Sequence, residues 1–165
     1  MVRCSFPDRP DLPPITALNE VVLGWGDNAR IATIRLWIDD EEVNTFRCDG
    51  MIISTPTGST GHSLSAMGPI VHPNAPSLLL NVVCPQSLSA RPVVLPDTVR
   101  CVLEVDAGSK EMVLSTDGTV QDRIPAGHRI QVERADATLN LIELPDYSYF
   151  SLIREKLNWR GFHLA

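Results

Sequence analysis

Residues 49–66 place the tightest local constraint on the fold. Asp49-Gly50 leads into the apolar run Met51-Ile52-Ile53, and then come Ser54-Thr55-Pro56-Thr57-Gly58-Ser59-Thr60-Gly61-His62-Ser63-Leu64-Ser65-Ala66. The apolar run reads as a buried strand, Pro56 and Gly58 break it, and the small hydroxyl residues lead into a helix-compatible segment near residues 63–67. The first amides of a helix lack internal partners and point outward with the positive end of the dipole, so such a turn can hold phosphate. Thr55, Thr57, Ser59 and Thr60 would add hydroxyls, and Gly58 and Gly61 would let a ligand approach the backbone. The same residues also describe an ordinary capped helix start. No Lys or Arg lies between Asp49 and Ala90, so this is not a P-loop, which requires Gly-Lys-Ser/Thr. A dinucleotide lying along the turn fits better than a triphosphate gripped by a lysine.

The rest of the chain reads mainly as β. Residues 19–23 and the alternating stretch 29–38 are strand candidates, separated by a turn at residues 24–28. Asp39-Asp40-Glu41-Glu42 forms a solvated turn, and residues 43–48 return as the second arm of a hairpin that delivers the chain to Asp49. Gly68-Pro69 ends the short helix, 78–83 is a continuous apolar strand, and the proline-rich 84–96 is an ordered crossing loop with a short strand. Residues 99–105, 111–115, 129–134 and 138–144 complete a pattern of short strands that suggests a sandwich or barrel, with Asp117-Gly118 as a hairpin turn. Tyr147, Phe150, Leu152, Ile153 and Leu157 recur at helical spacing, so a C-terminal helix is expected to pack on the sheets. Pro7, Pro10, Pro13 and Pro14 mark residues 1–16 as an arm or linker, leaving 17–165 as the domain.

Composition narrows the function. A length of 165 residues suits one domain, and a net charge of −6 argues against a broad nucleic-acid surface. No apolar run reaches the roughly 20 residues of a membrane span, and the start lacks a signal peptide's apolar core. Cys4, Cys48, Cys84 and Cys101 are widely spaced, with neither zinc nor disulfide patterning, which suits reduced thiols in the cytoplasm. Cys48 is read as a half-buried strand residue rather than a reactive thiol. The acidic residues lack calcium-loop spacing, so no metal site is encoded locally, and no Ser or Cys is forced into a nucleophile's geometry beside His62 or His72, so a Ser-His-Asp hydrolase is weakly supported.

Three features remain as site candidates. Asp49, next to Arg47 at the entrance of the turn, can accept a hydrogen bond from a sugar hydroxyl or serve as a turn aspartate. Asn19 and Glu20 supply an amide and a carboxylate suited to a ribose diol, or are solvated strand residues. Asp117 and Gly118 are a hairpin turn first and a site edge second.

The run from Asp49 through Thr60, followed by Ser63-Leu64-Ser65-Ala66 and Gly68-Pro69-Ile70-Val71-His72-Pro73, resembles the NAD kinase signature. Residues 19–23, the Cys84-Pro85-Gln86-Ser87-Leu88-Ser89-Ala90-Arg91-Pro92 block, Asp117-Gly118 and the segment Phe150 through Trp159 resemble that family's other blocks in the correct order. The resemblance spans about residues 17 to 160. It implies a β-sandwich C-terminal domain, and transfer of phosphoryl from ATP or polyphosphate, with a divalent metal such as Mg, to the 2′-hydroxyl of the adenosine ribose of NAD, giving NADP. By position it implies that Asn19 and Glu20 hold ribose hydroxyls or phosphate-side groups, and that Asp49 meets the nicotinamide half. Thr60, Gly61 and Ser65 would line the adenine and a neighbouring subunit. It also implies a homodimer or homotetramer.

The chain departs from the family in two ways. Gly61-His62 stands where relatives commonly have Ala-Tyr, which replaces an aromatic ring by a smaller, titratable one and puts affinity and ligand preference in question. The family's Gly-Gly-Asp-Gly-Thr motif, carried by an N-terminal α/β domain, is absent. The expectation is a chain that binds NAD without phosphorylating it, because phosphoryl transfer needs donor, metal and acceptor positioned together. The competing expectation is a catalytically silent dinucleotide-binding or oligomerisation domain.

Overall fold

A computed structural model describes residues 1–25 and 31–159. Its twelve strands are β1 (Val2–Ser5), β2 (Ile15–Ala17), β3 (Glu20–Gly24), β4 (Ala32–Ile38), β5 (Glu41–Cys48), β6 (Gly50–Ser54), β7 (Ser77–Val83), β8 (Val93–Pro96), β9 (Cys101–Val105), β10 (Met112–Thr116), β11 (Thr119–Ile124) and β12 (Arg129–Arg134). A 3-10 turn (Thr57–Thr60), the single-turn α1 (His62–Ser65) and α2 (Tyr149–Lys156) complete the elements. The strands form two antiparallel six-stranded sheets, in the orders β2-β1-β12-β9-β4-β5 and β11-β10-β3-β6-β7-β8.

The two sheets face each other across one core because their strands alternate. In β4, Ala32, Ile34 and Leu36 turn inward; in β9, Cys101, Leu103 and Val105 do; Val21 and Leu23 of β3 and Leu114 of β10 meet them from the other sheet. β6 differs, since all five of its residues are buried. It is central in its sheet, between β3 and β7. The 3-10 turn and α1 fold back against it and cover its second face, so Met51-Ile52-Ile53 needs no alternation.

Four sequence expectations require correction. Residues 1–16 are not an arm: β1 lies between β2 and β12 in register, and Val2 and Cys4 are fully buried. The prolines flank β1 and β2 rather than interrupt them, so the Val-Arg-Cys-Ser alternation is free to pair. Residues 138–144 form no strand, and Leu141, Ile142 and Leu144 are exposed; alternation alone does not make a strand where no neighbour pairs with it. β11 is a strand that its polar sequence conceals, because it is an edge strand paired only to β10. α2 exists but contacts the loops rather than a sheet face: Tyr149 packs edge-on against His72 at 4.7 Å, and its hydroxyl donates to the Val71 carbonyl at 3.5 Å. The expected turn at residues 24–28 lies mostly outside the described residues, as does the start of the 29–38 strand.

Candidate functional site

The chain leaves β6 at Ser54 and turns back against the start of β3. Thr55 N–H donates to the Asn19 carbonyl at 2.8 Å, Thr55 Oγ1 donates to the Leu18 carbonyl at 2.8 Å, and Ser54 Oγ donates to the Asn19 carbonyl at 3.2 Å. Thr55 Oγ1 also accepts the Gly58 amide at 3.0 Å, so one threonine both docks the turn and caps it. Gly58 is packed so closely on Asn19 that a Cβ there would stand 2.2 Å from the Asn19 carbonyl oxygen. Ser59 Oγ donates to the Val71 carbonyl and accepts the Val71 amide, which ties the turn to the loop after α1. At the far end of α1, the buried Asn81 of β7 donates to the carbonyls of Ser63 and Ala66, both at 3.3 Å.

This network changes the chemical reading of the turn. Thr55, Gly58 and Ser59 are buried, and the amides of Gly58, Ser59 and Gly61 bond within the turn. The expected cradle of amides and hydroxyls is therefore not what these three residues build. The helix beyond them is a 3-10 turn and one α-turn, too short to sum a useful dipole. Thr57 is half-buried, and Thr60, Gly61, His62 and Ser65 are exposed.

What the turn does hold is the Asn19-Glu20 pair. Glu20 is 5 % exposed, and its Oε2 has no hydrogen-bond partner among the described residues. Burial, and then the nearby Asp117 carboxylate, push the Glu20 pKa above the ordinary carboxylate value, while the His62 imidazole and amide draw it partly back. A buried carboxylate oxygen without a donor is costly unless a ligand completes it. Asp117 and Gly118 form the two-residue turn between β10 and β11, both with positive φ (47° and 77°), and Asp117 lies against residues 18–20.

Asp49 and Arg47 lie elsewhere. β3 pairs with β6 so that Glu20 faces Ser54 and Gly24 faces Gly50. Asn19 and Asp49 are therefore at opposite ends of this ladder, about 20 Å apart at about 3.3 Å per residue. Arg47 is exposed. The Asp49 carboxylate beside the Cys84 thiol pushes that thiol's pKa up. Cys84 and Ser65 share the lining of a cavity of about 560 Å³ with Met67, Val82 and Arg91. The sequence candidates thus fall into two groups: Asn19, Glu20, Thr57, Thr60, Gly61, His62, Asp117 and Gly118 at one end, and Arg47 and Asp49 at the other, with Ser65 on the Cys84 cavity. Nothing in the sequence singles out Cys84 as a site residue, because its partnership with Asp49 is created by the antiparallel β6–β7 register. Among the described residues there is no group of three or more His, Cys, Asp and Glu side chains that could hold a metal ion.

Comparison with known proteins agrees with this architecture. Residues 18–144 match the model of the ATP-NAD kinase C-terminal domain. The chain is 40% identical over 154 residues to the NAD kinase of Gemmatimonas aurantiaca, covering 93% of this chain and 53% of that protein. It is 45% identical over 143 residues to that of Aromatoleum aromaticum, covering 87% and 47%. Among solved structures it is similar to yeast NADH kinase complexed with NADH, with a TM-score of 0.73, 33% identity, and coverage of 80% of this chain and 39% of that one. It is also similar to an NAD kinase from Archaeoglobus fulgidus in complex with ATP, with a TM-score of 0.68, 28% identity, and coverage of 82% and 51%. The chain spans about half the length of the curated relatives it matches.

Proposed function

Because the chain belongs to the NAD kinase family as its C-terminal domain, we propose that it binds NAD as the acceptor of a phosphoryl group at the 2′-hydroxyl of its adenosine ribose, and NADP as the product. The observation that carries this reading is Glu20: a carboxylate 5 % exposed, with one oxygen unpartnered, held beside Asn19 by the Thr55–Gly58 turn. A ribose hydroxyl supplies the missing donor. The Asn19 amide beside it offers both a donor and an acceptor to the neighbouring hydroxyl or a phosphate oxygen. Thr57, Thr60, Gly61 and His62 border that end and contact the adenosine side, with the His62 ring in place of a larger aromatic one. Asp49 and Ser65 serve the nicotinamide half or a neighbouring subunit.

ATP or polyphosphate and its divalent ion are held by the half of a longer protein that relatives possess and this chain does not span, so the chain alone binds the acceptor without turning it over. The exposed apolar side chains of Leu141, Ile142, Leu144 and Phe150 suit packing against that half. The separation of Asn19 from Asp49 suits a homodimer or tetramer in which one subunit completes another's site. Four cysteines without a disulfide suit the cytoplasm.

Calorimetric titration with NAD, NADP and ATP tests this reading. Saturable dinucleotide binding is expected, weakened about tenfold or more by Asn19→Ala and by Asp49→Ala, with no NADP formed from ATP. Unchanged affinity in both variants removes the site assignment. No dinucleotide binding at all, with a stable oligomer, leaves an assembly role instead.

A further inference from the structure

Asp117 makes a set of contacts that a turn residue does not require. Its Oδ2 accepts from the Leu18 amide at 2.7 Å, and its Oδ1 accepts from the amides of Asn19 at 2.7 Å and Glu20 at 3.1 Å. The Asp117 amide donates in turn to the Glu20 carbonyl at 3.2 Å. Three successive amides converging on one carboxylate form a nest, with the side chain playing the part of the anion. The carbonyls of Leu18 and Asn19 in the same bend are fixed from the opposite side by Ser54 and Thr55, and Gly58 packs against the Asn19 backbone. Residues 18–20 are therefore gripped between the end of β6 and the end of β10. With three of its acceptor positions taken by the backbone, Asp117 is poorly placed to bind a ligand itself.

We propose that Asp117 is a positioning residue for the dinucleotide site: its carboxylate grips the amides of Leu18, Asn19 and Glu20 and thereby sets the direction in which the Asn19 and Glu20 side chains meet the ligand. This rests on the reading of Asn19 and Glu20 as the dinucleotide-binding pair. The carboxylate also acts on Glu20 through charge. The groups facing Glu20 are Asp117 from the β10–β11 turn and His62 from α1. Asp117 favours the protonated form of Glu20 and His62 the ionised form, so removing the Asp117 charge lowers the Glu20 titration midpoint. A residue that only closed a hairpin would not move that midpoint.

The test uses Asp117→Asn, which keeps one acceptor oxygen and loses the charge, and Asp117→Ala, which loses both. Glu20→Gln serves as the assignment control. The Glu20 carboxyl is followed by carbon-13 NMR against pH in the free protein, NAD affinity by calorimetry, and folding by far-UV circular dichroism. Asp117→Asn is expected to lower the Glu20 midpoint with the fold retained and to weaken NAD binding severalfold. Asp117→Ala is expected to weaken it tenfold or more. Should Asp117→Ala not fold, Asp117→Asn carries the test alone. An unmoved Glu20 midpoint in Asp117→Asn, or wild-type affinity in the variants that fold, overturns the proposal. If NAD does not bind the wild-type chain, or binds Glu20→Gln equally well, the dinucleotide reading fails and the ligand part of the proposal falls with it. The midpoint then decides separately whether Asp117 governs Glu20.

Discussion

Gly58→Ala puts the docking of the turn on β3 to a quantitative test. The added Cβ would lie 2.2 Å from the Asn19 oxygen, 2.6 Å from its carbonyl carbon and 2.7 Å from its Cα. All three are backbone atoms, so no side chain can rotate away. Carbon and oxygen pack no closer than about 3.2–3.4 Å, so the turn and the start of β3 must separate by about 1 Å. That displacement strains the Thr55 N–H and Ser54 hydroxyl bonds to Asn19 and the Thr55 hydroxyl bond to Leu18. At about 1 kcal/mol net for each bond the loss is about 3 kcal/mol. Replacing a glycine in a helical turn returns up to about 1 kcal/mol through the unfolded chain. The net destabilisation is therefore about 2 kcal/mol, or a Tm lower by about 4–8 °C for a chain of this size. Urea unfolding gives the number directly as a lower midpoint at unchanged slope. NAD affinity should fall in parallel, since the same backbone presents Asn19 and Glu20. A Gly58→Ala protein as stable as the wild type would refute the reasoning, because the close approach would then not be what demands glycine.

Further outcomes follow from burial and charge. The Glu20 pKa is raised in the fold, so the stability it contributes is fully present below its unfolded value and is lost as pH rises through the folded one. Glu20→Gln should accordingly match the wild type near the acid end and exceed it at pH 7; a stability difference that stays constant with pH, read by denaturation at several pH values, would argue against this. Burial pushes Cys4, Cys48 and Cys101 up to about 12, whereas Cys84 is exposed. Titration of the native protein with a disulfide reagent at pH 8 should then count one accessible thiol, slowed by the Asp49 carboxylate, and three more only after unfolding; a second fast thiol contradicts the burial of β1, β5 or β9. Asn81→Ala removes the acceptor of the buried Ser63 hydroxyl and the donor to the half-buried Ala66 carbonyl, while the Ser63 carbonyl keeps the Gly68 and Ala66 amides; it should cost roughly 1–3 kcal/mol, with wild-type stability as the refuting result.

The strand–turn–helix at residues 49–66, the hairpin of β4 and β5, the Asp117-Gly118 turn and a β-rich fold were all legible in the sequence. Each rests on a signal that neighbours in sequence generate: alternation, a glycine in a reversed turn, a proline that ends a run. Pairing across the sheets was not legible. Val2–Ser5 became an inner strand because β12, more than a hundred residues away in sequence, pairs with it, while residues 138–144, which read as a strand too, pair with none. Polar β11 left no signal of its own, because an edge strand need not look apolar.

The candidate site divides along the same line. Residue types alone pointed to Asn19, Glu20, Asp49 and the turn, because an amide and carboxylates beside a glycine-broken strand are chemistry that can be read one residue at a time. Which of these groups remain free for a ligand was decided only by the fold. Tertiary hydrogen bonds consumed the hydroxyls of Thr55 and Ser59, the β3–β6 register set Asp49 far from Asn19, and burial left Glu20 Oε2 without a donor. Hydrogen-bonding capacity is a property of a residue, but its availability depends on which neighbours arrive from distant parts of the chain.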